Sequence, residues 1–164
     1  MIVFGIDPGS RVMGFGVINV QGNKIRCMDY GVFRGVKRGT CNDFPARLKR
    51  LYEGLVICLK KHSPEVVVLE DLFHSVNSKT TLRLGQARGV ALLAAANSGA
   101  SIFEYSPLEV KKAVVGYGRA DKQQIQMMVA RLLRLEKTPK PYDAADALAV
   151  AICHTLRSSG GPFY

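Results

Sequence analysis

Thirteen acidic residues serve a chain of 164, few enough to be weighed one at a time. Asp7 ends the run Ile2-Val3-Phe4-Gly5-Ile6, and Glu70 ends Val66-Val67-Val68-Leu69. Each carboxylate therefore closes an intensely apolar strand, and the carboxyl ends of parallel strands line the usual active-site crevice. Judged singly, each reads equally well as the first wet residue after a buried strand. Asp143 and Asp146 stand three apart in the first turn of a helix, hence on one face. Acids at a helix N-terminus are favoured by the macrodipole whatever their function. The small apolar residues around them, Ala144, Ala145 and Ala147 to Ile152, nevertheless demand close packing on a sheet, which draws both acids toward the core.

Four carboxylates converging from two strand ends and a helix would repel one another. Divalent cations relieve that conflict, and hard oxygen donors with room for water suit Mg²⁺ or Mn²⁺. Two such ions about 4 Å apart can activate a water and stabilise the leaving oxygen of a phosphodiester. The other acids have simpler roles. Asp43, Glu109 and Asp121 are placed to cap helices, and Glu53, Glu65 and Glu136 fit a solvated surface.

Charge supplies the substrate class. Lys and Arg number 23, for a net charge of +10, which points to a polyanionic partner, either nucleic acid or an acidic membrane surface. With the four site acids assigned to metal, only nine acids oppose those 23 bases, so the exterior is more positive than the sum. A hydrophobic fraction of 48% with 22% charged residues describes an ordinary globule and rules out a disordered tail protein. The segment Met1 to Asp7 lacks the basic region of a signal peptide. Val90 to Ala96, the most apolar later stretch, is too short to span a bilayer. The expected compartment is the cytoplasm, with no membrane partner. Cys27, Cys41, Cys58 and Cys153 contain no C-x-x-C pair and are expected to be reduced and buried. His62, His74 and His154 do not stand at zinc-ligand spacing with them.

The elements that must position these residues are legible. Residues 2–7, 14–20 and 24–34 read as strands joined by short turns, notably Gln21-Gly22-Asn23, and so as an antiparallel meander. Asn42 or Asp43 caps a helix to about residue 61, with Leu48, Leu51, Leu55, Val56 and Leu59 as its buried stripe. Residues 65–70 form a strand covered on both faces. A helix spans about 79–97, and a short strand 101–105. Ser106-Pro107-Leu108-Glu109 is a capping box, and Asp121 with Gln124 opens a helix to about residue 135. The last helix covers 142–157. The expected fold is α/β: a five-stranded mixed sheet with helices on both faces. One domain covers 1–157, followed by a flexible tail, 158–164.

Four blocks carry a resemblance: Asp7-Pro8-Gly9 with Gly14-Phe15-Gly16; Glu70-Asp71-Leu72-Phe73; Leu84-Gly85-Gln86-Ala87-Arg88-Gly89; and Asp143-Ala144-Ala145-Asp146-Ala147-Leu148-Ala149. In this order, from residue 1 to about 157, they closely resemble the RuvC family of bacterial Holliday junction resolvases, or crossover junction endodeoxyribonucleases. A lone Asp-x-Gly turn is a weak signal; four blocks in register are a strong one. The resemblance implies a ribonuclease-H-like fold. It also implies a homodimer that nicks two opposing strands of a four-way DNA junction in recombination and repair, leaving ligatable 5′-phosphate and 3′-hydroxyl ends. Two Mg²⁺ ions per active site, with Mn²⁺ able to substitute, and a branch-migration motor complex of the RuvA and RuvB type are implied as cofactor and partner.

Residue by residue, the resemblance makes Asp7, Glu70, Asp143 and Asp146 the catalytic and metal-binding set, with Asp143 the most interchangeable. Phe73 matches an aromatic that stacks on a base beside the cut, though a lone phenylalanine is more often core. Lys111 and Lys122 match lysines near the active site that hold the scissile or flanking phosphate. Arg83, Arg88, Lys112 and Arg119 are assigned to backbone positioning; for any one of them a solvated surface role is the alternative. Gly85, Ala87, Gly89 and Ala91 permit close approach of a second helix, either in a dimer or within the chain's own fold. Two rivals remain: a ribonuclease-H-like nuclease of structured RNA, and an actin-like phosphate module, whose second lobe 164 residues cannot supply. A purely architectural junction binder gives no reason to gather four acids.

Overall fold

A computed structural model describes residues 1–41, 43–71 and 78–158. Three strands, β1 (Ile2–Asp7), β2 (Val12–Gln21) and β3 (Lys24–Arg34), form the expected antiparallel meander. The helix α1 (Phe44–His62) leads to β4 (Val66–Glu70), and α2 (Ser78–Ser98) to β5 (Ser101–Tyr105). Then come α3 (Pro107–Val115), α4 (Lys122–Leu132) and α5 (Tyr142–Ser158). The sheet has the order β3-β2-β1-β4-β5, with β4 parallel to both β1 and β5.

Residue alternation along the strands divides the core in two. Val3, Val66 and Val68 pack with α3, α4 and α5; Phe4, Ile6, Val67 and Leu69 pack with α1 and α2. Helices thus cover both faces, as the apolar runs of β1 and β4 require. The helix starts follow their capping chemistry. Asp43 accepts from the Ala46 N–H at 2.9 Å. Ser106 and Glu109 close one capping box, and Asp121 and Gln124 another.

Four expectations are corrected. Helix α4 stops at Leu132 rather than near residue 135, because Arg134 takes a left-handed φ of 53°. The Leu135 N–H then bonds back to the Ala130 carbonyl at 2.8 Å, a Schellman-type end without its usual glycine. Strand β2 begins at Val12, two residues early, since Val12 pairs with Arg34 at the far end of β3. Cysteines are free as expected, but Cys41 is exposed and Cys27 only half-buried, whereas Cys58 and Cys153 are in the core. The final helix includes Ser158, whose hydroxyl donates to the His154 carbonyl at 2.6 Å. Among the described residues, no helix is long and apolar enough to cross a membrane.

Candidate active site

Strand parity decides where the first two carboxylates point. Ile6 pairs with Leu69 in the parallel β1–β4 ladder, so Asp7 and Glu70 are neighbours at adjacent strand ends. Both share the parity of Val3, Val66 and Val68, and therefore face α5 rather than α1 and α2.

The α5 helix reaches them because the sheet carries glycines beneath it. A Cβ on Gly14 would lie 1.9 Å from the Asp143 carbonyl oxygen, and one on Gly5 would lie 2.1 Å from that of Ala147. Backbone meets backbone, and Ala144, Ala145, Ala147, Ala149 and Ala151 are wholly buried. This contact holds the start of α5, with Asp143 in its first turn and Asp146 just after it, over the end of β1. From the other side come α3 and α4, each started by its capping box. Lys111 lies in the middle of α3, and Lys122 is the first residue of α4.

The result is a cleft of about 240 Å³ lined by Asp7, Glu70, Asp146, Lys111 and Lys122, with Pro107, Val110, Ile125 and Ala149 as its apolar wall. Lys122 Nζ stands 3.6 Å from Asp146 Oδ2. Burial, reinforced by the charges of Glu70, Asp146 and Asp143, pushes the Asp7 carboxyl up to about 8, with Lys122 opposing. Burial and Asp146 push Glu70 up to about 7, against Lys122, a hydrogen bond with Asp7, and Lys111. Asp146 is raised by burial, with Lys122 as the chief opposing charge. Such a set is short of positive charge. Asp143 is half-buried and acts on Asp7 and Asp146 through its charge, without lining the cleft.

The remaining sequence candidates scatter. Lys112 and Arg119 are exposed outside the cleft lining. Arg83 is exposed on α2 and lies over the Phe44 ring, 5.4 Å from its centroid. Arg88 pairs with Asp71 at 3.3 Å and with Glu104. Phe73 lies outside the described residues. The sequence reading missed the apolar wall, although the Ser106 capping box sets the helix whose Val110 and Lys111 reach the cleft. It also missed Asp71 and Glu104 as partners of Arg88.

The family model for crossover junction endodeoxyribonuclease RuvC matches residues 3–154. The chain belongs to the RuvC family. It is 53% identical over 154 residues to the RuvC of Alkaliphilus oremlandii, covering 94% of this chain and 92% of that one. Against the RuvC of Desulforamulus reducens it is 51% identical over 161 residues, covering 97% and 96%. The solved T. thermophilus RuvC in complex with Holliday junction substrate superposes with a TM-score of 0.87 at 32% identity, covering 96% of this chain and 94% of that one. The fold is thus the ribonuclease-H-like fold of RuvC, and the enzyme class is crossover junction endodeoxyribonuclease.

Proposed function

We propose that this chain resolves four-way DNA junctions as a homodimer, nicking two opposing strands in a divalent-cation-dependent reaction that leaves 5′-phosphate and 3′-hydroxyl ends. The observation that carries the reading is the meeting of Asp7, Glu70 and Asp146 with Lys111 and Lys122 in one cleft.

The donor set fits a hard cation. It consists of carboxylate oxygens, and burial with mutual repulsion raises the carboxyls of Asp7 and Glu70, a strain that added positive charge relieves. Among the described residues no three such side chains already close around an ion. An open cleft suits Mg²⁺ or Mn²⁺, which keep several waters. Asp7, Glu70, Asp143 and Asp146 would hold the cations, two per site, and when bound these would supply an activated water and charge for the leaving oxygen. Lys111 and Lys122 bring positive charge to the phosphate, and the apolar wall limits the water around it. Phe73 is assigned to stacking on a base next to the cut, and Arg83, Lys112 and Arg119 to backbone contacts.

The homodimer is supported by the two faces of α2. Ala87, Ala91, Ala94 and Ala95 are buried in the core that α2 shares with α1 and the sheet. On the outer face Leu82 and Leu93 are exposed, and a Cβ on Gly85 or Gly89 would meet nothing within 4 Å. Two equivalent sites related by a two-fold axis suit paired nicks in a four-way junction. A branch-migration motor of the RuvA and RuvB type is the partner that the family resemblance implies, and the cytoplasm the compartment.

The test offers a synthetic four-way junction, a linear duplex, a single strand and a structured RNA, each with Mg²⁺. Symmetric nicking of the junction alone is expected; equal cutting of all four would overturn the reading.

A further inference from the structure

We propose that Arg88 is a positioning residue of the cleavage site, fixing Glu70 from the opposite face of the sheet; this rests on the reading of the carboxylate cleft above. Arg88 lies midway along α2, with its side chain only 17% exposed. It reaches Asp71 Oδ1 at 3.3 Å and the Glu104 carboxylate. Asp71 is the residue after Glu70, and Glu104 precedes Tyr105, the β5 residue that pairs with Glu70. The Asp71 N–H donates to the Tyr105 carbonyl at 2.8 Å, continuing the β4–β5 ladder beyond Glu70. One guanidinium thus bridges two parallel strands at the rung where Glu70 leaves the sheet.

Parity puts the clamp behind the site. Leu69 and Ile102 pack toward α1 and α2, and Asp71 and Glu104 share their parity. Glu70 lines the cleft and Tyr105 packs with the α3–α5 core. Arg88 therefore stands across the sheet from Lys111 and Lys122, and holds the backbone of Glu70 rather than a phosphate in the cleft.

Stability alone is a poor reason for an arginine here. Its Nε–H is buried and has no acceptor among the described residues. Asp71 and Glu104 are 55% and 41% exposed, so water screens their pairing with Arg88 and the ion pairs add little stability, and an apolar side chain would pack α2 as well. A planar fork instead fixes the spacing of two carboxylates, one on each strand. Released from it, the end of β4 can fray and carry Glu70 away from Asp7. Since α2 also presents the proposed dimer face, the clamp ties that helix to a catalytic strand.

The test compares Arg88→Met, Arg88→Lys and Glu104→Gln with the wild-type chain. It measures single-turnover junction cleavage, junction Kd over a range of salt, melting temperature, and Mn²⁺ affinity by calorimetry without DNA. Arg88→Met and Glu104→Gln are expected to slow cleavage about 10–100-fold, the loss typical of a small misplacement at a reacting centre. Both should also weaken Mn²⁺ binding, with junction Kd and salt slope unchanged. Arg88→Lys, which keeps the charge but loses the fork, should recover only part of the loss, and it decides the matter if Arg88→Met fails to fold. A weaker Kd with a salt slope reduced by about one unit, confined to the Arg88 variants, would make Arg88 a DNA contact and overturn the proposal. So would a lower melting temperature with wild-type cleavage rate and Mn²⁺ affinity. If wild-type protein leaves the junction uncut, the functional reading fails, while the DNA-free Mn²⁺ titration still decides the role of Arg88.

Discussion

Lys122 holds its ammonium 3.6 Å from the carboxylate of Asp146, across the cleft between the N-terminal parts of α4 and α5. It heads the opposing charges at Asp146 and Glu70, and opposes the raised carboxyl of Asp7 as well. Lys122→Met is expected to slow single-turnover cleavage about 10²-fold, the size of effect seen when one charge-stabilising group is removed from a site. Junction binding should stay within about threefold, because one phosphate contact is a small share of the interface. A filter-binding or anisotropy titration beside the kinetics checks both.

Asp7→Asn should abolish cleavage and leave junction binding measurable. It should also stabilise the metal-free protein. The folded-state pKa of Asp7 is raised from 3.8 to about 8, so the folded chain binds the proton more tightly than the unfolded one. Stability from this group is full below about pH 4 and is lost as pH rises toward 8. With chelator at pH 8, Asp7→Asn is expected to melt about 5 °C higher than wild type, and the gap should close near pH 4. A variant that melts lower at both pH values would show instead a folding role for Asp7.

The same protons set the metal requirement. In the proposed function cations displace them from Asp7 and Glu70, so the divalent concentration for half-maximal cleavage should fall as pH rises from 6.5 to 8.5. At saturating Mg²⁺ the pH dependence should flatten. Cleavage rates over a Mg²⁺ series at three pH values measure this, and a pH-independent requirement would contradict it.

Gly14→Ala inserts a methyl 1.9 Å from the Asp143 carbonyl oxygen, where backbone rather than a mobile side chain must give way. An expected loss of about 3 kcal/mol or more in urea denaturation follows from overpacking. Whatever fraction remains folded should cleave poorly, because α5 carries two of the four acids.

Gly85→Ala meets nothing within 4 Å in the single chain and replaces a helix-interior glycine. A monomer should gain up to about 1 kcal/mol from helix propensity. If α2 joins two copies, the added methyl and Leu93→Glu should both weaken the dimer, which sedimentation over a concentration series would detect.

Much of this site could be read before any coordinates. Asp7 and Glu70 announce themselves because strand alternation has period two and each closes an apolar run. Ser106 and Asp121 announce their helices because capping is a local reaction between a side chain and nearby N–H groups. The end of α4 was not legible, since Arg134 adopts a left-handed backbone without the glycine that normally signals it. The carboxylate partners of Arg88 were not legible for a different reason: its spacing on α2 says that it is basic and helical, not which strands stand opposite.

Residue order alone determined the strands, the caps, the excess of positive charge and the places of Asp7 and Glu70 at strand ends, because each depends on composition, periodicity or neighbours a few positions away. Only the tertiary structure decided that Lys111 and Lys122 share a cleft with the carboxylates while Arg88 lies behind the sheet. A side chain's destination depends on which helix is packed on which face, and that is settled by contacts between residues far apart in the chain.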